Sequence, residues 1–402
     1  MTVSATLALN DEVARRRRAG LPTVPLGFGE AGLPVHPLLK DELARWAGSA
    51  SYGPAAGVEE LRTAAAGYWT RRGLPTEPDQ VVAGPGSKAL LWALFGETRG
   101  AVALARPSWV SYAAQASLHG VVTHLLPTAP GHGGVPDPEL LDETARRARH
   151  DGWPLKTVVL TLPDNPTGTL AAPNAVAAVC EVAREHDLLV ISDEIYRDLV
   201  HDDTTPFVSP AELAPERVVV TTGLSKNLAL GGWRTGVARF PDRDLRDRVV
   251  SVGSEVWSCV AQPVQRAAAL AFDEPPELRE RVRLSRRLHA RVGTAVADMF
   301  LDSGADLVRP NAGFYLYPAM TTVRAATDVE IATTFLEDFG VATLPGSAFG
   351  DDPANKRLRV ATSLLYGEDD DQRERALRGE DAPWVTLQLD RIARALGRLL
   401  EQ

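Results

Sequence analysis

The chain has 402 residues, of which 45% are hydrophobic and 24% charged, and its formal net charge is -9. This length predicts two or three domain-sized units with a sizeable core. The acidic balance disfavours nucleic acid as a partner, and no apolar stretch reaches the roughly 18 residues of a membrane helix.

Three residue classes narrow the function further. The two cysteines, Cys180 and Cys259, lie in segments that we predict to be apolar and helical, so we expect neither a disulfide framework nor structural zinc. The eight histidines show no metal-ligand spacing, and we predict no metal. A basic run at 15–18, predicted as a solvated helix face, follows the mildly apolar residues 1–10. This reverses the order of a secretory signal, and we expect a cytoplasmic protein.

Strands and helices alternate through the centre of the chain. Helical patterns at 87–95 and 174–186 lie among apolar runs that have the length and branching of buried strands. These runs are 101–105, 158–162, 188–192 and 218–222. Such βα units predict a parallel sheet with functional loops at the carboxyl ends of its strands.

The pattern changes after residue 273. Residues 274–276 break the chain, and the Arg-rich stretch 278–300 has the pattern of a helix that leads into a second domain. We therefore place a boundary near residue 285. The acidic segment 366–383 is predicted to be a surface loop with local disorder, before a closing helix at 385–400.

A lysine in a loop rich in glycine and serine is the most informative residue. Lys226 follows an apolar strand and is suited to form an imine with an aldehyde, if neighbouring groups lower its pKa. Arg234, in the same loop, is within reach of a phosphate. The alternative is a glycine-rich loop with an incidental lysine.

Two further strand ends carry polar residues. Asp193 ends a buried strand, where a carboxylate requires a cationic partner such as a pyridinium nitrogen. Tyr196 and Asn165 are candidates to hold the phenolic oxygen of the same ring. The alternatives are an Asp that caps a turn, a Tyr in the core and an Asn in an ordinary turn.

Two weaker signals complete the candidate site. Gly86, Ser87 and Lys88 open a helix in a way that suits phosphate binding, although for this segment alone a simple N-cap is the better explanation. Trp109, at another strand end, is suited to stack on a flat ring, and core packing is its alternative.

Taken in order, the motifs resemble those of the class I/II aminotransferases of pyridoxal-phosphate (PLP) fold type I, relatives of aspartate aminotransferase. They are Leu26 to Glu30 as an entry strand, Tyr52 to Gly57 with Glu60 to Arg62, Gly86 to Lys88, Pro107 to Trp109, Asn165 to Gly168, Asp193 to Tyr196, Ser225 and Lys226 with Gly232 to Arg234, and Leu358 to Val360. The resemblance covers nearly the whole chain. It implies an α/β fold with a mostly parallel seven-stranded sheet flanked by helices, plus a smaller α+β domain.

The resemblance also implies domains and residue roles. Residues 1–48 would form an N-terminal arm and part of the small domain, 49–285 the large PLP-binding domain, and 286–402 the C-terminal small domain. Lys226 would carry PLP as a Schiff base and move a proton, with Asp193 at the ring nitrogen. Further PLP contacts would be Asn165 and Tyr196 at the phenolic oxygen, Trp109 on the ring, and Gly86, Ser87, Lys88, Ser225 and Arg234 near the phosphate. Tyr52 would reach the phosphate from the other subunit of a homodimer.

For the substrate, the resemblance implies that Arg359, Asn165 and the backbone of Gly29 hold the α-carboxylate. One departure is Gly223, where many relatives have a phosphate-binding serine. Either Ser225 or Thr222 would replace that contact. Thr235 is also less apolar than usual at its position.

The expected function is a ping-pong amino transfer between an α-amino acid and a 2-keto acid. The alternative is a non-transaminating PLP enzyme of the same fold, such as a β-lyase, a cyclising synthase or an oxidase. A PLP-sensing regulator would need an added DNA-binding domain, which we do not expect. Residues 254–262, with Phe314, Tyr315 and Tyr317, are predicted to line the side-chain pocket. No arginine lies between 257 and 264, which slightly disfavours aspartate as the substrate.

Overall fold

A computed structural model describes residues 5–401 of the chain. The helices described are α1 (Ala5–Arg18), α2 (Pro37–Arg45), α3 (Glu59–Thr70), α4 (Ser87–Glu97), α5 (Ser111–Leu118), α6 (Pro138–His150), α7 (Pro173–Glu185), α8 (Pro210–Leu213), α9 (Arg243–Val256), α10 (Gln262–Asp273), α11 (Pro276–Asp302), α12 (Asp328–Phe339), α13 (Asp370–Arg378) and α14 (Pro383–Glu401). The strands are β1 (Val24–Pro25), β2 (Val81–Gly84), β3 (Ala101–Arg106), β4 (Thr123–Pro127), β5 (Leu155–Thr161), β6 (Leu189–Asp193), β7 (Val218–Gly223), β8 (Gly236–Arg239), β9 (Tyr315–Leu316), β10 (Val341–Ala342), β11 (Leu344–Pro345) and β12 (Leu358–Ala361).

A seven-stranded sheet forms the centre of the fold. Its strand order is β2-β8-β7-β6-β5-β3-β4. Strand β8 runs antiparallel to both of its neighbours, and the other pairs are parallel. The predicted mostly parallel α/β sheet is therefore confirmed, and β3, β5, β6 and β7 match the four predicted strands within three residues at each end.

Alternation along the strands explains why both faces of this sheet carry helices. In β3, Ala101 and Ala103 pack into one apolar cluster, whereas Val102 and Leu104 pack into another. Successive side chains of a strand point to opposite faces, so an all-apolar strand requires cover on both. Helices α3, α6, α7 and α10 cover the first face, and α4, α5 and α9 cover the second.

A separate apolar cluster lies toward the carboxyl end of the chain. It joins the later part of α11 with α12, α13, α14 and the small strands β1, β9, β10 and β12. Strands β11, β12 and β9 form a three-stranded antiparallel sheet, and β1 pairs in parallel with β10. Helix α11 runs without interruption through residue 285, and the domain division at that point stays a prediction.

Three local predictions were wrong. The entry strand expected at 26–30 is limited to Val24–Pro25, the two residues paired in register with β10, although the backbone of Leu26 still bonds Ala342 and Ala361. The loop expected at 366–383 contains α13, which is capped by Asp369 and buries Leu377. Cys259 lies in the connection between α9 and α10 rather than in a helix, whereas Cys180 is buried in α7.

Between residues 5 and 401, none of the helices combines the length and the apolar character needed to cross a membrane.

Candidate active site

A cavity of about 530 Å³ lies at the carboxyl ends of the parallel strands. Thr161 ends β5 and Asp193 ends β6, and the two residues are register partners in the sheet. Lys226 and Arg359 also line the cavity. The carboxyl edge of a parallel sheet is where α/β folds bind ligands, so the topology itself places polar groups here.

Lys226 directs its amine into this cavity and donates a hydrogen bond to the carbonyl oxygen of Gly29 at 2.5 Å. Burial, together with the positive charge of Arg359, lowers the pKa of Lys226 to about 8, although the carboxylates of Glu30 and Asp193 oppose this shift. A neutral amine is a nucleophile, so this environment prepares Lys226 to attack an aldehyde near neutral pH.

Arg359 is a cation with no carboxylate partner among the described residues. Its side chain is 1% exposed, and its Nη1 donates to the side-chain oxygen of Asn165 at 3.4 Å while Nη2 donates to the carbonyl of Gly27. Its Nε is buried without a hydrogen-bond partner. A buried, uncompensated cation is costly, so the arrangement fits an anionic ligand such as a substrate carboxylate.

Asp193 is 3% exposed, and burial raises its pKa to about 6. The hydroxyl of Tyr112 donates to its Oδ2 at 2.8 Å and favours the ionised form. The carboxylate is therefore suited to hold a protonated ring nitrogen.

Two tyrosine hydroxyls meet near Lys226. The hydroxyl oxygens of Tyr196 and Tyr315 are 2.8 Å apart, and that of Tyr315 is 3.5 Å from the carbonyl oxygen of Gly29. The amine of Lys226 lies 5.9 Å from the centre of the Tyr196 ring. Tyr196 is thus available to a ring oxygen held beside the lysine.

Another group of lining residues fits a phosphate. Helix α4 begins at Ser87, and its N-cap Gly86, at φ 85°, has no side chain to satisfy the first amide groups. The guanidinium of Arg234 lies directly against Gly86, where an added Cβ would be only 2.5 Å from Nη2. Free amide groups at a helix start, a glycine that admits close approach and a guanidinium are the elements of an anion site.

Of the residues predicted by resemblance to hold the cofactor or the substrate carboxylate, all but Tyr52 line this one cavity. The residues brought together are Gly29, Gly86, Ser87, Lys88, Trp109, Asn165, Asp193, Tyr196, Ser225, Lys226, Arg234 and Arg359. Tyr52 lies in the loop after α2, is 90% exposed and does not line the cavity. Ser225 lines it, whereas the Thr222 hydroxyl donates to the carbonyl of Glu194 at 3.4 Å. The residues therefore fit PLP, and Ser225 is the hydroxyl available in place of a serine at Gly223.

The side-chain pocket prediction was wrong in part. Of the predicted aromatics, only Tyr315 lines the cavity. Phe314 packs against His289, and the Tyr317 hydroxyl donates to Asp351 at 3.2 Å. Residues 254–262, which run from the end of α9 to the start of α10, do not line the cavity either.

Sequence reasoning missed several lining residues. Thr6 and Leu7, from the amino-terminal helix, carry no recognisable motif. Tyr112 and Thr161 had a usable signal, since Tyr112 follows Trp109 by one helical turn and Thr161 ends a buried strand.

Two other polar features lie outside this cavity. A second cavity, of about 550 Å³, is lined by ion-paired residues such as Arg72 and Asp198, whose charged atoms are 2.8 Å apart. Asp142, Glu185 and His186 bring potential ligand atoms within 4.8 Å of one another. His186 and Arg146 already pair with Asp142, at 2.7 and 2.8 Å. The absence of a metal therefore stays a prediction.

Comparison with known proteins gives consistent matches. The family model described as aminotransferase class I and II matches residues 34–372. The aspartate/prephenate aminotransferase of Thermus thermophilus is 32% identical over 99% of this chain and 97% of its own length. The aspartate aminotransferase of Geobacillus stearothermophilus is 32% identical over 90% of this chain and 93% of its own. The solved structure of aspartate aminotransferase from Thermus thermophilus with maleate superposes with a TM-score of 0.85, at 29% identity, over 98% of this chain and 97% of that one.

Proposed function

Since this chain belongs to the family of class I and II aminotransferases, we propose that it transfers the amino group of aspartate, or of a similar dicarboxylic amino acid, to a 2-keto acid by a ping-pong mechanism. It is a PLP-dependent aminotransferase. The observation that carries the substrate proposal is the set of cations in one cavity, Lys88, Lys226, Arg234 and Arg359.

When bound, PLP supplies an aldehyde that combines with amines and a ring that accepts electrons from the substrate Cα. In our proposal Lys226 holds the cofactor covalently, and its amine, once displaced by substrate, moves a proton at Cα. Asp193 holds the ring nitrogen, Asn165 and Tyr196 hold the phenolic oxygen, and Trp109 stacks on the ring. The amide groups of Ser87 and Lys88, the Ser225 hydroxyl and the guanidinium of Arg234 bind the phosphate.

The two remaining cations are the proposed partners of the two substrate carboxylates. Arg359, buried and without a carboxylate partner, holds the α-carboxylate together with Asn165. The side chain of Lys88 is then the one cation among the lining residues without a proposed role. Lys88 is exposed to solvent, its amine lies 5.0 Å from the centre of the Trp109 ring, and partial desolvation, with Arg234 nearby, lowers its pKa. A cation held there is placed to pair with the second carboxylate of aspartate.

The lack of an arginine between 257 and 264 slightly disfavoured aspartate, and a cation at Lys88 removes that objection. The relatives named above include aspartate aminotransferases, and Lys88 offers a positive charge from a different element, α4. The comparisons support transamination, because the matching family model and the relatives named above are aminotransferases.

Two experiments test the covalent role of Lys226 and the substrate. Borohydride reduction of the holoenzyme, followed by peptide mass spectrometry, is expected to find the cofactor on the peptide with Lys226. The Lys226→Ala variant is expected to lose this label, the visible absorbance of the lysine-bound cofactor and turnover.

For the substrate, Lys88→Met is expected to lower kcat/KM for aspartate at least about 10-fold, with kcat/KM for alanine changed by less than about threefold.

The exposed lysine of α2 gives the matched control, Lys40→Met, which is expected to leave both values unchanged. An equal loss for aspartate and alanine in Lys88→Met would contradict the proposed contact with the second carboxylate.

We also propose that the enzyme acts as a homodimer with shared sites. Tyr52 is the predicted phosphate ligand that the cavity of its own chain lacks, and its 90% exposure leaves it free to enter a partner's cavity. The test mixes two inactive variants, Tyr52→Ala and Lys226→Ala. A mixed dimer has one site with both native residues, so activity is expected to return on mixing after unfolding and refolding. No recovery, with mixed dimers verified by mass spectrometry, would refute shared sites.

A cytoplasmic location is a further proposal, supported by the two cysteines, which are free and suit a reducing compartment.

A further inference from the structure

We propose that Tyr112 is a positioning residue of this enzyme, whose hydroxyl keeps the Asp193 carboxylate ionised and oriented while its ring supports Trp109. The inference rests on the proposed function, in which Asp193 holds the cofactor ring nitrogen. None of the sequence motifs assigned a role to Tyr112.

Tyr112 is buried beside the cavity. It is the second residue of α5, its side chain is 1% exposed, and it lines the cavity at the carboxyl edge of the sheet. Its hydroxyl oxygen lies 2.8 Å from Oδ2 of Asp193 and 3.1 Å from Oγ1 of Thr161. These two contacts define a buried chain of three polar groups.

The direction of the hydrogen bonds follows from counting hydrogens. An ionised carboxylate only accepts, and a tyrosine hydroxyl carries a single hydrogen. Tyr112 therefore donates its hydrogen to Asp193, and the contact with Thr161 is a donation from Thr161 to the oxygen of Tyr112. The donation from Thr161 polarises the phenol and strengthens its bond to Asp193.

The same side chain contacts a second proposed cofactor ligand. The ring of Tyr112 meets the ring of Trp109 edge to face, with 5.2 Å between the ring centres and an angle of 85°. Such a contact restrains the tilt of Trp109. One residue thus touches both the group proposed to stack on the cofactor and the group proposed to hold its ring nitrogen.

Burial makes donors to Asp193 important, and the Tyr112 hydroxyl, at 2.8 Å, is closer than the Ile195 amide, at 3.4 Å. Asp193 is 3% exposed, and a carboxyl removed from water favours its neutral form. A neutral acid holds a pyridine nitrogen less tightly than a carboxylate holds a pyridinium. Removal of the donor therefore weakens the hold on the cofactor specifically through the ring nitrogen.

The test compares two cofactors on the full-length protein. Dissociation constants are measured for PLP and for its 1-deaza analogue, in which carbon replaces the ring nitrogen, with wild type, Tyr112→Phe and Thr161→Val. Phenylalanine keeps the packing on Trp109. In Tyr112→Phe the affinity for PLP is expected to fall roughly 10-fold or more, with the affinity for the analogue changed by less than about twofold. Thr161→Val is expected to shift the ratio of the two dissociation constants, PLP over analogue, in the same direction by a smaller factor.

A matched control removes a buried hydroxyl elsewhere. The Tyr366 hydroxyl bonds Nδ1 of His289 at 2.6 Å in a separate apolar cluster, and Tyr366→Phe is expected to leave both affinities unchanged. Unchanged affinity for both cofactors in Tyr112→Phe, or an equal loss for both, would overturn the inference in favour of a structural role.

If wild type itself fails to discriminate between the cofactors, the proposed role of Asp193 is wrong, and the proposed role of Tyr112 is wrong with it. Should Tyr112→Phe not fold, Thr161→Val decides by the same ratio.

Discussion

The side-chain oxygen of Asn165 accepts a hydrogen bond from Nη1 of Arg359 at 3.4 Å, although 194 positions separate the two residues in the chain. Asn165 lies in the loop after β5, and Arg359 lies in β12 of the small antiparallel sheet. The contact joins the end of the large sheet to the small antiparallel sheet, so the position of Arg359 in the cavity depends on how these two parts are arranged.

Replacement of Arg359 by lysine is expected to affect substrate binding rather than cofactor binding. Lysine keeps the charge but loses the planar fork that binds a carboxylate through two hydrogen bonds. We expect kcat/KM for the amino acid to fall about 100-fold or more, while the affinity for PLP changes by less than about threefold. Steady-state kinetics and cofactor titration measure the two quantities. Loss of cofactor affinity to the same extent would contradict the assignment, and the exposed Arg309→Lys is the control.

A methyl group at Gly86 is expected to disrupt the phosphate site. Gly86 has φ 85°, and its added Cβ would lie 2.5 Å from Nη2 of Arg234. Gly73 has φ 80° with nothing within 4 Å of an added Cβ, so Gly73→Ala carries the same backbone strain without the contact. Both variants are expected to lose about 1 kcal/mol of stability. Only Gly86→Ala is expected to weaken PLP binding, by roughly 10-fold, and equal cofactor affinities would contradict the proposed site.

Stability is expected to depend on the buried carboxyl of Asp164. Burial raises the pKa of Asp164 to about 7 from its ordinary value of 3.8. Between these pH values the folded state binds more protons than the unfolded state, so the free energy of unfolding falls as pH rises from about 4 to about 7. Asp164→Asn is expected to raise the melting temperature above pH 8 and to leave it nearly unchanged near pH 4.

The exposed Asp41 in α2 provides the control for this measurement. Asp41→Asn is expected to change the melting temperature little at either pH. A gain for Asp164→Asn that is the same at both pH values would show that protonation is not its cause.

The carboxylate of Glu30 is expected to tune the reactivity of Lys226. Glu30 raises the pKa of Lys226, against burial and Arg359, which bring it down to about 8. The rate at which cofactor-free protein binds PLP covalently is therefore expected to rise with pH and to level off above about 8. Glu30→Gln removes the opposing charge and is expected to move the midpoint to lower pH. A midpoint that stays in place or moves upward would contradict this coupling.

The sequence by itself predicted most of the residues that line the cavity. The order of motifs and the buried strands before them placed Asn165, Asp193 and Lys226 together, because parallel strands bring their carboxyl ends to one edge whatever lies between them. It also determined the fold class, since strands that are largely apolar on both faces require helices on both.

Only the tertiary structure decided which neighbouring side chain faces the cavity. Ser225 lines it and Thr222 does not, and Tyr315 lines it while Phe314 packs behind. A shift of one position along an extended chain reverses the direction of a side chain, and composition does not record that direction. The bond from Tyr112 to Asp193 joins residues 81 positions apart, and the pairing of Asn165 with Arg359 spans an even longer interval. Such contacts depend on packing between distant elements, so they emerge only when the chain is folded.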